Sequence, residues 1–191
     1  MEFLYVLFYS YFLGSIPFGL IITRLFLGKD IRNIGSGNIG TTNVLRTGRK
    51  SLAAATLLLD VLKGYISILI SFKYFNELIY LSALICFIGH IFPVWIKFKG
   101  GKGVATYLGI ILGISFMLGV TFGISWILTV IIFRYSSLSS IISSLMVCIY
   151  SIFTGNIMET YFLFIIFVII IFTHKENIIR LKYAKESKIK L

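Results

Sequence analysis

The sequence predicts an all-α, polytopic membrane protein, and three observations favour this fold class. Of the 191 residues, 58% are hydrophobic and 13% are charged, whereas a soluble domain is about 45–50% apolar and about 25% charged. The mean hydropathy is +0.98. The apolar residues form long unbroken runs, without the alternation typical of membrane β-barrels. This composition excludes a barrel, a soluble α/β enzyme and a disordered tail protein.

Six apolar runs are candidate membrane spans, since a helix crosses the hydrocarbon core with about 20 residues, or as few as about 17. They are roughly Phe3–Leu27, Leu52–Phe72, Leu78–Ile96, Val104–Phe133, Leu138–Phe153 and Thr160–Thr173. No cleavable signal is expected, because the first run is too long and no basic segment precedes it. No internal repeat or long linker is evident, so we expect one domain over residues 1–191.

The distribution of basic residues predicts the orientation, because cytoplasmic loops carry an excess of Lys and Arg. The net charge is +11, and 16 of the 18 basic residues lie in four segments: 24–50, 97–102, position 134 and 175–190. Placing all four inside requires the run 104–133 to cross out and back, with turns offered by Gly113, Gly119 and Gly123. We expect seven transmembrane helices, including a short or re-entrant pair around 104–133, with the N-terminus out and the C-terminus in. Five full spans plus a re-entrant pair is the alternative.

The first polar segment, residues 30–46, combines glycines with small hydrogen-bonding residues. Gly35, Gly37 and Gly40 form a G-x-G-x-x-G pattern, but no strand is predicted before it and a membrane helix follows, which disfavours a dinucleotide-binding turn. Closely spaced glycines let backbone N–H groups converge on an anion. Neutral donors and a guanidinium suited to phosphate are added by Ser36, Asn38, Thr42, Asn43 and Arg46. A phosphate site is favoured, and a plain cytoplasmic turn is the alternative.

The second polar segment, residues 89–106, ends one span and begins the next. After His90 and Pro93 it turns through three glycines, Gly100, Gly101 and Gly103. Lys102 then lies at the N-terminus of the following helix, where free N–H groups favour anions, so phosphate contact is favoured for this lysine. The segment is not a Walker A loop, because Gly103 stands where a Ser or Thr is required. Membrane-interface anchoring is an equally good interpretation for Lys97 and Lys99.

Further polar residues lie inside a span and at the edges of two others. Asp60 and Lys63 share one helix face well inside a span, where ionisable residues are costly. A structural ion pair is favoured, with substrate contact left open for Lys63. Residues 134–140 and 174–180 lie at the expected cytoplasmic edge, where serines also serve as helix caps. Together these groups would form a cationic surface rich in phosphate ligands.

Several kinds of catalytic machinery are missing from the sequence. Neither a poised pair of carboxylates nor a recognisable Ser-His-Asp order is evident, and we expect no metal and no cofactor. The His-x-x-x-x-Asp pattern of acyltransferases that use acyl thioesters is also missing, since Trp95 follows His90 by five residues and Ile179 follows His174 by five. Basic residues clustered between apolar runs do not indicate nucleic-acid binding.

Four motifs carry a resemblance to a known family. They are Ser36-Gly37-Asn38-x-Gly40-x-Thr42-Asn43, Asp60-x-x-Lys63-Gly64, Gly89-His90-x-x-Pro93, and Phe98-Lys99-Gly100-Gly101-Lys102-Gly103-Val104-Ala105-Thr106. The likeness extends from Gly14-Ser15-Ile16-Pro17-Phe18-Gly19 to His174-x-x-Asn177-Ile178-x-Arg180, nearly the whole chain. In these motifs the chain resembles the bacterial acyl-phosphate:glycerol-3-phosphate acyltransferases, the PlsY family.

The resemblance implies transfer of an acyl group from acyl phosphate to the sn-1 hydroxyl of glycerol 3-phosphate. The products would be lysophosphatidic acid (1-acyl-glycerol 3-phosphate) and phosphate, in the first committed step of phospholipid synthesis. The resemblance also implies a seven-helix, multi-pass protein of the bacterial inner cell membrane, with its active site on the cytoplasmic face. Contact with membrane lipid and functional coupling to the soluble enzyme that makes acyl phosphate are expected.

The resemblance also implies roles for particular residues. It places Ser36, Arg46, Lys102 and Ser140 around phosphate, and His174 and Asn177 near the glycerol substrate. We expect four of these to be catalytic, namely Ser36, Arg46, Lys102 and His174. The expected substrate-binding residues are Gly35, Gly37, Asn38, Gly40, Thr42, Asn43, Lys63, His90, Lys99, Gly100, Gly101, Gly103, Ser137, Ser140 and Asn177.

Two other function classes compete with the enzyme. A small transporter of an anionic metabolite would have its polar site near the midplane, often between inverted repeats. The polar motifs of this chain instead crowd one predicted face, and no repeat is evident. A structural membrane adaptor would not need two loops that combine glycines with basic residues. The sequence therefore favours the acyltransferase.

Overall fold

The computed structural model describes residues 1–154 and 156–189, and all regular structure in these ranges is helical. The helices are α1 (Glu2–Ser15), α2 (Phe18–Leu27), α3 (Thr41–Leu45), α4 (Lys50–Tyr74), α5 (Ile79–Ile91), α6 (Val104–Ile114), α7 (Phe116–Phe133), α8 (Ser136–Thr154), α9 (Ile157–Thr173) and α10 (Lys175–Lys182). Short 3-10 turns lie at Ile31–Asn33, Asn76–Leu78 and Val94–Ile96. The predicted all-α class is confirmed for the described residues.

Within these ranges five apolar segments are long enough to cross a membrane. They are Glu2–Leu27, Lys50–Tyr74, Asn76–Ile96, Phe116–Phe133 and Ser136–Thr154. The pair α9 and α10, bent by 61°, would make a sixth. The apolar helix α6 has only 11 residues, a length of about 16 Å and roughly half of the hydrocarbon core. The run 104–133 therefore contains the short helix that the sequence predicts.

The break in the run 104–133 lies at Ser115, whose backbone is extended at φ −152° and ψ 127°. The prediction that Gly119 and Gly123 offer turning points was wrong, because both lie inside α7. Gly113 lies in the last turn of α6. A β-carbon on Gly113 would stand 2.8 Å from Cβ of Ile68, so this glycine permits close packing against α4.

The first apolar segment, predicted as a span over Phe3–Leu27, crosses as one segment but contains a helix break between Ser15 and Phe18. Pro17 has no N–H and disfavours helical backbone in the residue before it. Ile16 is accordingly extended, at φ −64° and ψ 116°. At this break the Ile16 carbonyl accepts a hydrogen bond from the Phe18 N–H at 3.1 Å, and the Lys63 Nζ atom donates a second one to it at 2.8 Å.

The chain forms two compact units, Met1–Ile114 and Ser115–Leu191. In the first unit α4 is the central helix and packs against α1, α2, α3, α5 and α6. The helices α1 and α5 also pack closely against each other. In the second unit α8 packs against α7, α9 and α10.

Glycines let the helices of the first unit approach backbone to backbone. A β-carbon on Gly109 would lie 1.9 Å from the Val61 carbonyl oxygen, and one on Gly64 would lie 2.3 Å from that of Thr106. Each of α4 and α6 therefore meets a glycine of the other. Such close contact is the usual source of attraction between membrane helices, because lipid tails are as apolar as the side chains they would replace.

Gly109→Ala is expected to destabilise the protein, because the added β-carbon must push the α4 backbone away. Overpacking of this kind costs about 1–3 kcal/mol, and thermal unfolding in detergent measures it. The matched control is Gly123→Ala, because a β-carbon there meets no atom within 4 Å and alanine is favoured over glycine in a helix. Equal unfolding midpoints for Gly109→Ala and the wild type would contradict the close α4–α6 contact.

Candidate active site

The two polar loops of the first unit share an apolar anchor. We refer to residues 30–46 as the first loop and to residues 97–103 as the second loop. The anchor is a buried cluster of Leu20, Ile31, Ile39, Val44, Ala53 and Ile96. Three of its members belong to the first loop, and Ile96 directly precedes the second. The cluster therefore fixes both loops to α2 and α4.

The Asn43 side chain stabilises the conformation of the first loop through hydrogen bonds to its backbone. Its side chain is buried, and its Oδ1 atom accepts a hydrogen bond from the Ser36 N–H at 3.0 Å. Its Nδ2 atom donates to main-chain carbonyls at 2.8–3.1 Å, those of Ile31, Ile34 and Asn38. This one amide thus joins four points of the irregular backbone of the loop by hydrogen bonds. The structure places Asn43 under the loop surface that the sequence assigns to substrate.

The upper surface of the first loop consists of exposed backbone and a guanidinium. Gly35 and Gly37 adopt left-handed backbone, at φ 56° and 71°, and Ser36 between them is exposed. Arg46 folds back over this turn, because a β-carbon on Gly35 would lie 3.2 Å from the Arg46 Nη1 atom. The structure therefore brings Gly35, Ser36 and Arg46 together, as an anion site requires.

The other candidates in the first loop lie near the start of α3. Asn38 accepts a hydrogen bond from the Gly40 N–H through its Oδ1 atom at 2.8 Å. Gly40 directly precedes α3, and Thr42 lies within it, half-buried. The Asn38 side chain thus helps to set where the loop ends and the helix begins.

An acidic residue at the start of the first loop neutralises part of the local positive charge. Asp30 forms ion pairs with Arg24 at 2.8 Å and with Arg32 at 2.6 Å. The hydrogen-bonded Arg32 guanidinium holds the pKa of Asp30 well below its usual range; burial opposes this shift and Arg24 adds to it. The same contact raises the pKa of Arg32. The sequence interpretation missed this cluster, although the Asp30–Arg32 spacing was its signal.

The second loop brings Lys102 to the start of α6, as the sequence predicts. The helix begins at Val104, two residues after Lys102, and the Tyr107 N–H donates to the Gly103 carbonyl at 2.7 Å. The Lys102 side chain is half-buried and that of Lys99 is exposed. Lys102 therefore lies where unpaired helix N–H groups and the helix dipole attract anions.

The glycines of the second loop pack tightly against the end of α5. The N–H groups of Gly100 and Gly101 donate to the carbonyls of Ile91 and His90 at 3.0 and 3.1 Å. A β-carbon on Gly103, which has φ 85°, would lie 2.2 Å from the Phe87 ring. Any larger residue at position 103 would therefore displace the loop.

Asp60 and Lys63 form the ion pair that the sequence predicts, with 2.7 Å between Oδ1 and Nζ. Their side chains are 2% and 1% exposed. The ammonium also lies 5.7 Å from the centre of the Phe18 ring. Lys63, a substrate-binding candidate from sequence, is thus surrounded by protein partners in the structure.

In the second unit Ser137 and Ser140 lie buried near the start of α8. Ser140 Oγ donates to the Ser136 carbonyl at 2.9 Å and is 3.3 Å from the Trp126 Nε1 donor. Ser137 Oγ donates instead to a carboxylate oxygen of Glu186 at 2.8 Å. The two candidate serines therefore have different partners.

His174 lies at the bend between α9 and α10 and is 2% exposed. Its Nδ1 atom is 2.9 Å from the Ile170 carbonyl oxygen. Because a carbonyl can only accept, Nδ1 carries the proton of this hydrogen bond, and in the neutral ring Nε2 is then the acceptor nitrogen. The carbonyl thereby fixes both the tautomer and the ring orientation.

Glu186 joins the candidates of the second unit, and the sequence interpretation missed it. Its carboxylate accepts hydrogen bonds from Ser137 at 2.8 Å, Asn177 at 2.6 Å and Arg180 at 2.7 Å. Burial alone would raise the pKa of Glu186, but these three hydrogen bonds outweigh it and hold the pKa below its ordinary value. Its signal in the sequence was only a carboxylate within a basic tail that also contains Glu176.

The helices and the buried charges define a multi-pass membrane protein, and comparisons with known proteins identify its family. Residues 4–184 match the sequence profile of the glycerol-3-phosphate acyltransferase family. The chain is 54% identical over 192 residues to the glycerol-3-phosphate acyltransferase of Pelagibacter ubique (strain HTCC1062), with 100% of both chains covered.

Two solved structures of PlsY, an integral membrane glycerol 3-phosphate acyltransferase, have the same fold. The glycerol 3-phosphate form has a TM-score of 0.94 at 36% identity, and the lysophosphatidic acid form has 0.91 at 34%. Each match covers 100% of this chain and 96% of the other. The chain belongs to the glycerol-3-phosphate acyltransferase family, which confirms the resemblance found in the sequence.

Glu186→Gln is expected to loosen the tail, because an amide cannot replace a carboxylate that accepts three hydrogen bonds. Hydrogen bonds to charged groups contribute about 1.5–3 kcal/mol each, and thermal unfolding at neutral pH measures the loss. Since the folded carboxyl has a lowered pKa, its stabilisation is present above the ordinary pKa and disappears as pH falls through the lowered one. The difference between wild type and variant should therefore shrink towards acidic pH.

Glu176→Gln is the matched control for this variant. Glu176 also approaches Arg180, at 3.8 Å, but its side chain is 76% exposed, and exposed ion pairs contribute little. If both variants unfold at the same temperature as the wild type, Glu186 does not organise the tail.

Proposed function

We propose that this protein transfers an acyl group from acyl phosphate to the sn-1 hydroxyl of glycerol 3-phosphate. The products are lysophosphatidic acid and inorganic phosphate. The observation that carries the proposal is membership of the glycerol-3-phosphate acyltransferase family across residues 4–184. The related PlsY is known in a glycerol 3-phosphate form and a lysophosphatidic acid form, which correspond to the substrate and the product of this reaction.

The whole chain acts as one acyltransferase domain in the bacterial inner membrane, with seven helices, the N-terminus outside and the C-terminus inside. In this proposal α6 counts as a short seventh helix beside the six longer apolar segments. The distribution of basic residues supports the orientation. The catalytic groups then face the cytoplasm, where acyl phosphate is received from the soluble enzyme that makes it.

In the first unit we assign phosphate binding to the two loops. Gly35, Ser36 and Arg46 form one group, because the exposed glycine turn and the guanidinium lie together. Lys102 forms the second at the start of α6. Both substrates carry a phosphate, which accounts for two loops that combine glycines with a cation.

In the second unit we assign phosphate contact to Ser140 and glycerol contact to His174 and Asn177. All three side chains are buried; Ser140 lies near the start of α8, His174 at the bend between α9 and α10, and Asn177 in the first turn of α10. The His174 ring is oriented by the Ile170 carbonyl, so its Nε2 atom is suited to accept a hydrogen bond from a substrate hydroxyl.

The reaction needs little proton chemistry from the protein. The hydroxyl oxygen of glycerol 3-phosphate attacks the acyl carbon, and the bond from that carbon to the phosphate oxygen breaks as phosphate leaves. The hydroxyl proton goes to a phosphate oxygen, because a phosphate monoester has a second pKa of about 6. The protein contributes positioning and stabilises negative charge on the donor carbonyl and the leaving phosphate.

Purified protein is expected to release phosphate from palmitoyl phosphate only when glycerol 3-phosphate is present, and not to use palmitoyl-CoA at a comparable rate. The reason is that the His-x-x-x-x-Asp pattern of thioester-using acyltransferases is missing. Equal turnover of both donors would refute the assignment of the donor. Uptake of glycerol 3-phosphate into vesicles without phosphate release would indicate a transporter instead.

Arg46→Ala and Lys102→Ala are each expected to lower kcat/KM by about 10²–10³, the loss typical of a group that stabilises transition-state charge. Arg46→Lys should also fail substantially, because a point charge cannot replace a planar fork. The controls are Arg49→Ala and Lys50→Ala, two exposed basic residues at the start of α4. Equal, mild losses of kcat/KM in all four alanine variants would mean that these residues act only through their summed positive potential.

A further inference from the structure

His90 lies behind the second loop, in the last turn of α5. Its side chain is 4% exposed, which leaves little of the ring for contact with a ligand. Its surroundings belong to α4, α6 and the second loop. The position therefore suggests a role in holding the loop.

Two main-chain hydrogen bonds join the end of α5 to the second loop. The His90 carbonyl accepts from the Gly101 N–H at 3.1 Å, and the Ile91 carbonyl accepts from the Gly100 N–H at 3.0 Å. A β-carbon on Gly100 would lie 2.2 Å from the His90 carbonyl oxygen. The two glycines on the N-terminal side of Lys102 thus lie directly against His90.

The imidazole ring contacts residues that precede and follow Lys102 in the sequence. A β-carbon on Gly101 would lie 2.1 Å from His90 Nε2, so this edge of the ring presses against the residue before Lys102. On its other side His90 Nδ1 is 3.1 Å from the Thr106 Oγ1 atom, in the first turn of α6. One buried ring therefore spans the segment that carries the ammonium.

The buried ion pair of Asp60 and Lys63 lies next to the His90 ring. Asp60 Oδ1 lies 3.7 Å from His90 Nδ1 and 2.7 Å from Lys63 Nζ. Because α4 and α6 meet through Gly64 and Gly109, the helix that carries Asp60 is held close to the helix that carries Thr106. The ring is thereby confined between α4, α5 and α6.

We propose that His90 is a positioning residue, which fixes the second loop through Gly101 and Thr106 and so places the Lys102 ammonium. This inference rests on the proposed function, in which Lys102 holds substrate phosphate. It assigns His90 an action through Lys102 without direct substrate contact. A loop displaced by about 1 Å would then lower the rate by up to about 10²-fold, since positioned groups act only at the right distance.

Two single variants test the ring and its hydroxyl partner. His90→Leu removes the polar ring atoms without added bulk, and Thr106→Val removes only the hydroxyl. Each is expected to lower kcat/KM about 10- to 100-fold. His90→Asn should recover most of the loss, because its amide can reach Thr106 from the position of Nδ1. Wild-type kcat/KM in His90→Leu and Thr106→Val would overturn the proposal.

The decisive measurement is a double-mutant cycle with Lys102→Ala. If His90 acts through Lys102, His90→Leu should lower kcat/KM far less in the Lys102→Ala background than in the wild type, because contacting residues are not additive. If the two losses multiply, His90 acts independently of Lys102 and the proposal is wrong. Ser82→Ala is the matched control, because Ser82 is a buried residue of the same helix. It hydrogen-bonds Ser10 and Ser67 at 2.8 and 2.9 Å.

Ser82→Ala should lower the unfolding temperature but leave kcat/KM unchanged. A loss of kcat/KM in Ser82→Ala equal to that in His90→Leu would reduce the effect to general instability and overturn the proposal. Amide hydrogen exchange separates the inference from the proposed function. His90→Leu should speed exchange in residues 97–104 but not in residues 35–46, whether or not the wild type transfers acyl groups. Unchanged exchange of the His90→Leu variant in both residue ranges would overturn the inference. An inactive wild type would overturn only the proposed function.

Discussion

The buried ion pair between Asp60 and Lys63 is the interaction on which the first unit depends. Both side chains are almost completely buried, and a lone charge inside a membrane protein is expensive, so each charge requires the other. Lys63 also donates a hydrogen bond to the carbonyl of Ile16, the residue before Pro17. The pair thus joins α4 to the break between α1 and α2, and it lies beside His90 at the end of α5. Removing one partner of a buried pair costs about 3–5 kcal/mol, because the other charge is left uncompensated.

The same requirement recurs wherever the chain leaves helical geometry. Irregular backbone in a membrane protein must have its N–H and C=O groups paired by protein or water. Asn43 supplies those partners under the first loop. The end of α5 does so for the second loop, through the carbonyls of His90 and Ile91. In the second unit Glu186 gathers Ser137, Asn177 and Arg180. Asn43, His90 and Glu186 therefore each stabilise one polar loop or the tail. The cationic and hydroxyl groups proposed to contact substrate belong to these stabilised segments.

The separation between residues that carry charge and residues that hold the backbone suits the proposed reaction. Acyl phosphate is already activated, so the protein has more to gain from fixed positive charge and fixed geometry than from a strong base. Lys102 at the start of α6 and Arg46 over the Gly35 turn are placed for charge. Asn43 and His90 lie behind them. A substitution of Asn43 or His90 would therefore change the reaction rate by altering the geometry of the loops that carry the charges.

Hydropathy and charge by themselves determined the helical class, the long apolar segments, the Asp60–Lys63 pair and the place of Lys102 at a helix start. These features depend on burial and spacing along one helix or one turn, which a sequence records directly. The tertiary structure alone decided the break at Ser115, the position of Asn43 beneath its loop, and the junction of Ser137 with Glu186, 49 residues apart. Hydrogen-bond partners of this kind depend on which helices approach one another and how closely. In the first unit that approach is set by Gly64 and Gly109, whose missing side chains let α4 and α6 touch.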